Sequence, residues 1–348
     1  MKNSIIDKSN MYESIYDFAM HIEESFDFFK ENSSLNKNYN NINKIIILGM
    51  GGSAITGLLM KEILKNNINI PIEVNQGYSI PKWIDNKTLV LACSYSGNTE
   101  ETLISCEKSF KKTSNIIGIS KGGDLFDLLK NNGINEYVKM PEGFQPRAAL
   151  GFAFALMLIL LNEIKIINDS LICDLQNSIP QLKEKTKEYS LENNTNIAYL
   201  AANKIHKKNP LIYAQEGIFN IIGYRFKCQL AENSKILAFN NAIPEMNHNE
   251  IEAYTSTVNT KNNFIVIWIN DPIYHDRNKK RIQIVNNIWK NKIKEQLFLE
   301  LQLKEVENKL LKYLSYIQLV DWISYHVAIL NNTNPSTIPN ISQLKKTL

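Results

Sequence analysis

Four short apolar runs, each followed by a turn and then by a helical pattern, restrict what this chain can become. They are residues 44–48 (KIIIL), 87–93 (KTLVLAC), 115–120 (NIIGIS) and 264–270 (FIVIWIN). None alternates apolar with polar, so a strand built from any of them must be buried on both faces. That is the environment of a parallel sheet covered by helices on both sides. The spacing predicts strand–turn–helix units: strand 44–48 then helix 53–65, strand 87–93 then a helix to 108, strand 115–120 then a short helix near 124–130, and a fourth strand at 137–140. An apolar helix from 146 closes this set. After a polar helical stretch the rhythm restarts, with strand 211–214 and a helix to 230, strand 264–270 and helix 275–290, then strand 297–301 and a long amphipathic helix at 306–330. A further helix is expected near 12–30. The fold class expected is α/β, with two tandem doubly wound parallel sheets. The corresponding domains are residues 1–165 and 195–348, joined by a helical connection at 166–194.

The length of 348 residues suits two domains. Hydrophobic content of 44% and charged content of 21% exclude a disordered or fibrous chain. A net charge of +4 with no concentrated basic block argues against nucleic acid as a partner. Cys93, Cys106, Cys173 and Cys228 are scattered without C-x-x-C spacing, as in a chain from a reducing compartment. The first residues lack a signal-peptide core, and the most apolar stretch, 148–161, is too short to span a bilayer. The expectation is a soluble cytoplasmic protein with no membrane partner.

Two of the turns carry chemistry. Gly49-Met50-Gly51-Gly52-Ser53-Ala54 joins a strand to a helix, where glycines permit close backbone approach and the unpaired N–H groups of the helix start attract an anion. It lacks the dinucleotide and P-loop spacings. Ser94-Tyr95-Ser96-Gly97-Asn98-Thr99-Glu100-Glu101-Thr102 does the same one strand later. Ser94, Ser96 and Thr99 there offer either an uncharged phosphate cradle or a simple helix cap. Two such loops on one sheet edge favour a phosphorylated ligand, with Gly51, Gly52, Ser53, Ser94, Ser96 and Thr99 around the phosphate.

These two loops resemble the sugar isomerase (SIS) domain, a flavodoxin-like unit that binds phosphosugars. Residues 142–149 (EGFQPRAA), 231–235 (AENSK), 244–250 (PEMNHNE) and 341–345 (ISQLK) follow in order. Together they resemble the bifunctional phosphoglucose/phosphomannose isomerases over the chain from about residue 45 to its end. The resemblance implies an aldose–ketose isomerase of hexose 6-phosphates that works through ring opening and a cis-enediolate, without cofactor or metal. It implies Glu232 as the base that moves the proton between C1 and C2, and His248, supplied across a homodimer interface, as the ring-opening acid–base. It further implies Lys345 (or its neighbour Lys346) as the C-terminal lysine that assists ring opening, and Arg147 as the cation that stabilises the enediolate. Each role suits its side chain: a carboxylate base, an imidazole titrating near neutrality, and a guanidinium beside developing negative charge. In this family a small hydroxyl residue near the lysine is associated with mannose use, and residues 334–338 (NPSTI) occupy that region. His21, His206, His275 and His326 read as structural. Two alternatives remain: a non-catalytic phosphosugar-binding module, which usually carries a DNA-binding domain, and an amino-sugar-phosphate isomerase, which usually carries an amidotransferase domain.

Overall fold

A computed structural model of the chain describes residues 5–255, 263–293, 295–301 and 308–347. The chain divides into two compact units. One comprises residues 17–183, and the other the residues up to Tyr16 together with 184–348.

The first unit is a six-stranded sheet. In chain order its strands are β1 (Ser33–Ser34), β2 (Lys44–Leu48), β3 (Ile72–Asn75), β4 (Thr88–Cys93), β5 (Ile116–Ser120) and β6 (Tyr137–Lys139). Across the sheet the order is β1-β6-β5-β4-β2-β3, and every pairing is parallel except that of β1 with β6. The helices are α2 (Phe18–Asn32), α3 (Gly51–Leu64), α4 (Glu100–Phe110), α5 (Asp124–Asn131), α6 (Leu150–Glu163) and most of α7 (Asp169–Tyr189); the short α1 (Met11–Tyr16) belongs to the other unit. Because side chains alternate across a strand, Ile46, Leu48, Val90 and Ala92 share one face and bury Cys106 of α4 with Leu125 and Leu129 of α5. Ile47 points the other way, toward α3, which comes close enough that a Cβ on Gly57 would sit 3.0 Å from the Ile47 Cγ2. Both faces are therefore covered, as the uninterrupted apolar runs require.

The second unit holds a four-stranded, wholly parallel sheet ordered β10-β9-β7-β8. Its strands are β7 (Asn209–Gln215), β8 (Phe239–Ile243), β9 (Phe264–Ile269) and β10 (Gln296–Leu299). Its helices are α8 (Ile197–Ile205), α9 (Ile218–Ser234), α10 (Asp276–Trp289), α11 (Lys309–Leu330) and α12 (Pro339–Thr347). The expected start of α11 at 306 lies outside the described residues, and the helix is traced from Lys309, with Asn308 Oδ1 accepting from the Leu311 N–H at 3.0 Å. It also differs from the amphipathic helix expected: from Leu314 to Ile329 every residue is buried, because α11 packs against α1, α8 and α9 of its own unit.

Among the described residues no helix is long and apolar enough to cross a membrane, and no cluster of His, Cys, Asp and Glu could hold a metal ion.

Candidate active site

In an open parallel sheet the ligand crevice opens at the carboxyl ends of two neighbouring strands whose connections run in opposite directions. In the first unit those strands are β2 and β4: β2 leads to β3 on one side, and β4 leads to β5 and β6 on the other. The Gly49–Ala54 turn leaves β2, and the Ser94–Thr99 turn leaves β4. The two glycine- and hydroxyl-bearing loops thus flank the switch point.

The β4 loop is tightly built. Ser94, nearly fully buried, holds its Oγ 2.8 Å from the Thr99 Oγ1 and accepts from the Gly97 N–H at 3.1 Å. The Ser96 Oγ accepts from the Asn98 N–H at 3.2 Å. Thr99 stands at the N-cap position of α4, yet its side chain makes no capping bond. Its hydroxyl is turned to Ser94 instead, so the simple-cap reading does not describe this residue. Gly97 has φ +78°, and a Cβ there would lie 1.7 Å from the Gly122 carbonyl oxygen, so the loop closes only with glycine. The Gly97 carbonyl in turn accepts from the Leu125 N–H at 3.0 Å, and the Asn98 Oδ1 from the Asp124 N–H at 3.0 Å, seating the loop on the start of α5.

The β2 loop starts α3 with no side-chain cap on Met50, and Gly51 adopts φ +52°. Gly52 is where a third loop arrives: a Cβ on it would meet the Pro146 carbonyl oxygen at 3.0 Å and the Arg147 nitrogen at 3.6 Å. Residues 141–147 therefore close on the β2 turn, and Arg147, only 3% exposed, enters with them. Tyr95 ties the same loop to the β4 turn, its hydroxyl donating to the Pro141 carbonyl at 2.9 Å and accepting from the Phe144 N–H at 3.0 Å. Between the three loops is a cavity of about 20 Å³, room for about one water, lined by Gly52, Ser53, Cys93, Tyr95 and Pro146 among others. Cys93 is no nucleophile there, because burial pushes its thiol pKa far up. The structure thus brings Gly51, Gly52, Ser53, Ser94, Ser96, Thr99 and Arg147 to one sheet edge within one unit.

The remaining candidates belong to the second unit. Glu232 sits half-buried in the last turn of α9. The register of that helix is locked by polar side chains spaced four apart, Arg225, Gln229 and Asn233, all facing α11. Arg225 forms a bidentate pair with Asp321 at 2.9 and 2.6 Å, and the Gln229 amide donates to the same carboxylate at 2.9 Å. The Asn233 Nδ2 donates to the Ser324 Oγ at 2.9 Å, and the Ser234 Oγ to the Ser324 carbonyl at 2.6 Å. Lys235 ends the helix at φ +55°, its Nζ donating to the Glu232 carbonyl at 2.6 Å and to that of Asn334 at 2.8 Å. The turn carrying Glu232 is thereby tethered to the 334–338 segment that precedes α12. Lys345 and Lys346 are exposed on α12, a helix with no buried residue. His248 is exposed at the end of a 3-10 turn (Glu245–His248) anchored by fully buried Met246. Of the other histidines, His275 caps α10 through Nδ1, His326 is buried with Nε2 2.7 Å from the Tyr189 carbonyl, and His21 is buried between aromatic rings.

The second sheet has its own switch point, between β7 and β9. Fully buried Asp271 lies just beyond β9 and pairs with Lys312 at 2.9 Å, while Glu216 follows β7. A carboxylate where the first sheet presents hydroxyls and glycines is unsuited to a phosphate. Sequence reasoning singled out the loops through their glycines and hydroxyls. It passed over Tyr95 inside the same motif and the Arg225–Asp321 seam, whose partners lie 96 residues apart.

Residues 194–348 match the family model described as bacterial phospho-glucose isomerase C-terminal SIS domain. A bifunctional phosphoglucose/phosphomannose isomerase of Caldicellulosiruptor bescii is 34% identical over 341 residues, covering 97% of this chain and 98% of that protein. One from Aquifex aeolicus is 32% identical over 306 residues, 87% of this chain and 90% of that protein. Among solved structures, the C-terminal domain of glucosamine-fructose-6-phosphate aminotransferase from Francisella tularensis aligns with a TM-score of 0.71 at 17% identity, over 94% of this chain and 98% of that one. At that identity the likeness is one of fold.

Proposed function

Because the chain belongs to the bifunctional phosphoglucose/phosphomannose isomerase family, we propose that it interconverts glucose 6-phosphate and mannose 6-phosphate with fructose 6-phosphate by proton transfer at Glu232. The observation that carries this reading is the convergence of two hydroxyl- and glycine-bearing loops with buried Arg147 at the β2/β4 switch point.

The phosphate is held by the Ser94, Ser96 and Thr99 hydroxyls and the backbone at Gly51, Gly52 and Ser53, which fix the sugar in register. The sugar enters as a ring. His248, contributed across the homodimer interface, and Lys345 (or Lys346), which assists ring opening, pass one proton to the ring oxygen and withdraw one from O1, giving the open-chain aldehyde. The Glu232 carboxylate then removes the C2 proton, and the C2 electron pair moves into the C1–C2 bond as charge builds on O1. Arg147 stabilises that oxyanion. Return of the proton to C1, with an O2-to-O1 proton shift, yields the ketose. Since C2 is planar in the enediolate, delivery of the proton to either of its faces gives the glucose or the mannose aldose. The exposure of His248, and of Ile341 and Leu344 on the same α12 as Lys345, supports a homodimer in which these groups are covered by a second copy.

The test is an assay of purified protein on fructose 6-phosphate with EDTA present, reading glucose 6-phosphate and mannose 6-phosphate separately. Both should form. Glu232→Gln should lower kcat by roughly 10²–10⁴-fold, the range of general acid–base catalysis, with sugar-phosphate affinity nearly intact. Inactive Glu232→Gln and His248→Ala chains should regain activity when mixed. Absence of both products, or equal loss of binding and turnover in Glu232→Gln, overturns the reading.

A further inference from the structure

The loop that brings Arg147 to the switch point is irregular. Glu142 and Gly143 are exposed, Gly143 has φ +95°, and residues 141–147 form no helix or strand. Beside the approach of Pro146 and Arg147 to Gly52, two further contacts fasten it. On one side Phe144 packs against buried His21 at 4.8 Å and Phe152 at 5.6 Å between ring centroids. On the other, the hydroxyl of Tyr95 grips two backbone groups three residues apart, the Pro141 carbonyl at 2.9 Å and the Phe144 N–H at 3.0 Å. Tyr95 is itself held in the core. It is 9% exposed, and its carbonyl accepts from the Lys121 N–H at 3.1 Å at the end of β5. Its neighbours in sequence are Ser94 and Ser96 of the phosphate cradle.

We propose that the Tyr95 hydroxyl is a positioning group that clamps the Arg147 loop to the phosphate loop, setting the guanidinium against the reacting carbons once the phosphate is seated. A phenol suits the task because one hydroxyl both donates and accepts. Burial raises its pKa, so the donor to Pro141 persists at any working pH. Tyr95 touches neither sugar nor phosphate in this assignment and acts through Arg147. The proposal rests on the reading of Arg147 as the enediolate's counter-charge.

The experiment is a double-mutant cycle of Tyr95→Phe and Arg147→Ala, with kcat and KM for fructose 6-phosphate measured on all four proteins. Misplacing a catalytic group by about 1 Å is worth up to about 10²-fold. Tyr95→Phe is therefore expected to lower kcat by about tenfold or more while KM stays within about twofold, since Ser94, Ser96 and Thr99 are untouched. In the Arg147→Ala background the same substitution should change kcat little, whereas a role confined to stability would give equal losses in both backgrounds. A wild-type kcat in Tyr95→Phe, or equal losses in the two backgrounds, overturns the clamp while leaving Arg147's role intact if Arg147→Ala is impaired. An unimpaired Arg147→Ala instead overturns the arginine's role, and the clamp with it. Should Tyr95→Phe not fold, amide exchange in the native protein decides: a Phe144 N–H held by Tyr95 exchanges slowly for an exposed loop, and fast exchange overturns the proposal.

Discussion

Lowering the pH from 7.5 to 5 should weaken the unit carrying His21 by an amount that can be worked out beforehand. His21 is 4% exposed, stacked on Phe152 at 4.6 Å and edge-on to Phe144, and its Nδ1 has no hydrogen-bond partner among the described residues. Burial without a counter-charge depresses its pKa from 6.5 to about 4. A base with a lowered folded-state pKa binds its proton better when unfolded. Its neutral form is compatible with the fold above pH 6.5, and stability is lost as pH falls from there toward 4. At pH 5 the unfolded histidine is almost wholly charged and the folded one almost wholly neutral, which costs about 2 kcal/mol relative to pH 7.5, rising toward about 3 kcal/mol near pH 4. The assay is urea unfolding of wild type and His21→Phe at both pH values, compared as the change within each protein so that groups common to both cancel. Wild type should lose about 2 kcal/mol more than His21→Phe. Equal losses in the two proteins would refute the reasoning, because another group would then carry the acid sensitivity.

Two other perturbations separate cradle from scaffold. Gly97→Ala combines a 1.7 Å approach to the Gly122 carbonyl with a positive φ, so the β4 loop must move. The loss of one hydrogen bond to a charged phosphate should then raise KM for fructose 6-phosphate about tenfold or more, and an unchanged KM would remove the loop from the phosphate site. Arg225→Leu leaves Asp321 buried and uncompensated and should cost roughly 3–5 kcal/mol in urea unfolding, with Arg225→Met/Asp321→Leu recovering most of it; a single variant as stable as wild type would show the seam to be idle.

The strands most plainly legible in the sequence are those buried on both faces, although the shorter β6 and the edge strand β10 were read too. KIIIL, TLVLAC and FIVIWI are continuous because no side of β2, β4 or β9 meets water. The strands that went unread, β1, β3 and β8, lie at sheet edges, where a run such as FNNAI in β8 need bury only part of its surface. The C-terminal helix α12 was missed for a related reason, since nine residues with only Ile341 and Leu344 as apolar side chains are too few to set a helical period. At the candidate site, glycine and hydroxyl residues announced the loops because strained turns and anion cradles admit few residue types. The groups that fasten those loops gave no such signal. A tyrosine whose hydroxyl holds a carbonyl and an N–H, 46 and 49 residues away in one loop, looks like any other core aromatic until the chain is folded.

The ion pair of Asp271 with Lys312 has a consequence for how a repeated architecture divides its labour. In the first unit the switch point is lined by glycine backbone, hydroxyls and the buried Arg147. In the second the equivalent opening is already satisfied from within, its cation taken by an internal anion. In the proposed function, doubling the fold has therefore not doubled the phosphate sites. In that same reading the first sheet anchors the phosphate, while the second unit holds the end of α9, with Glu232, through Lys235.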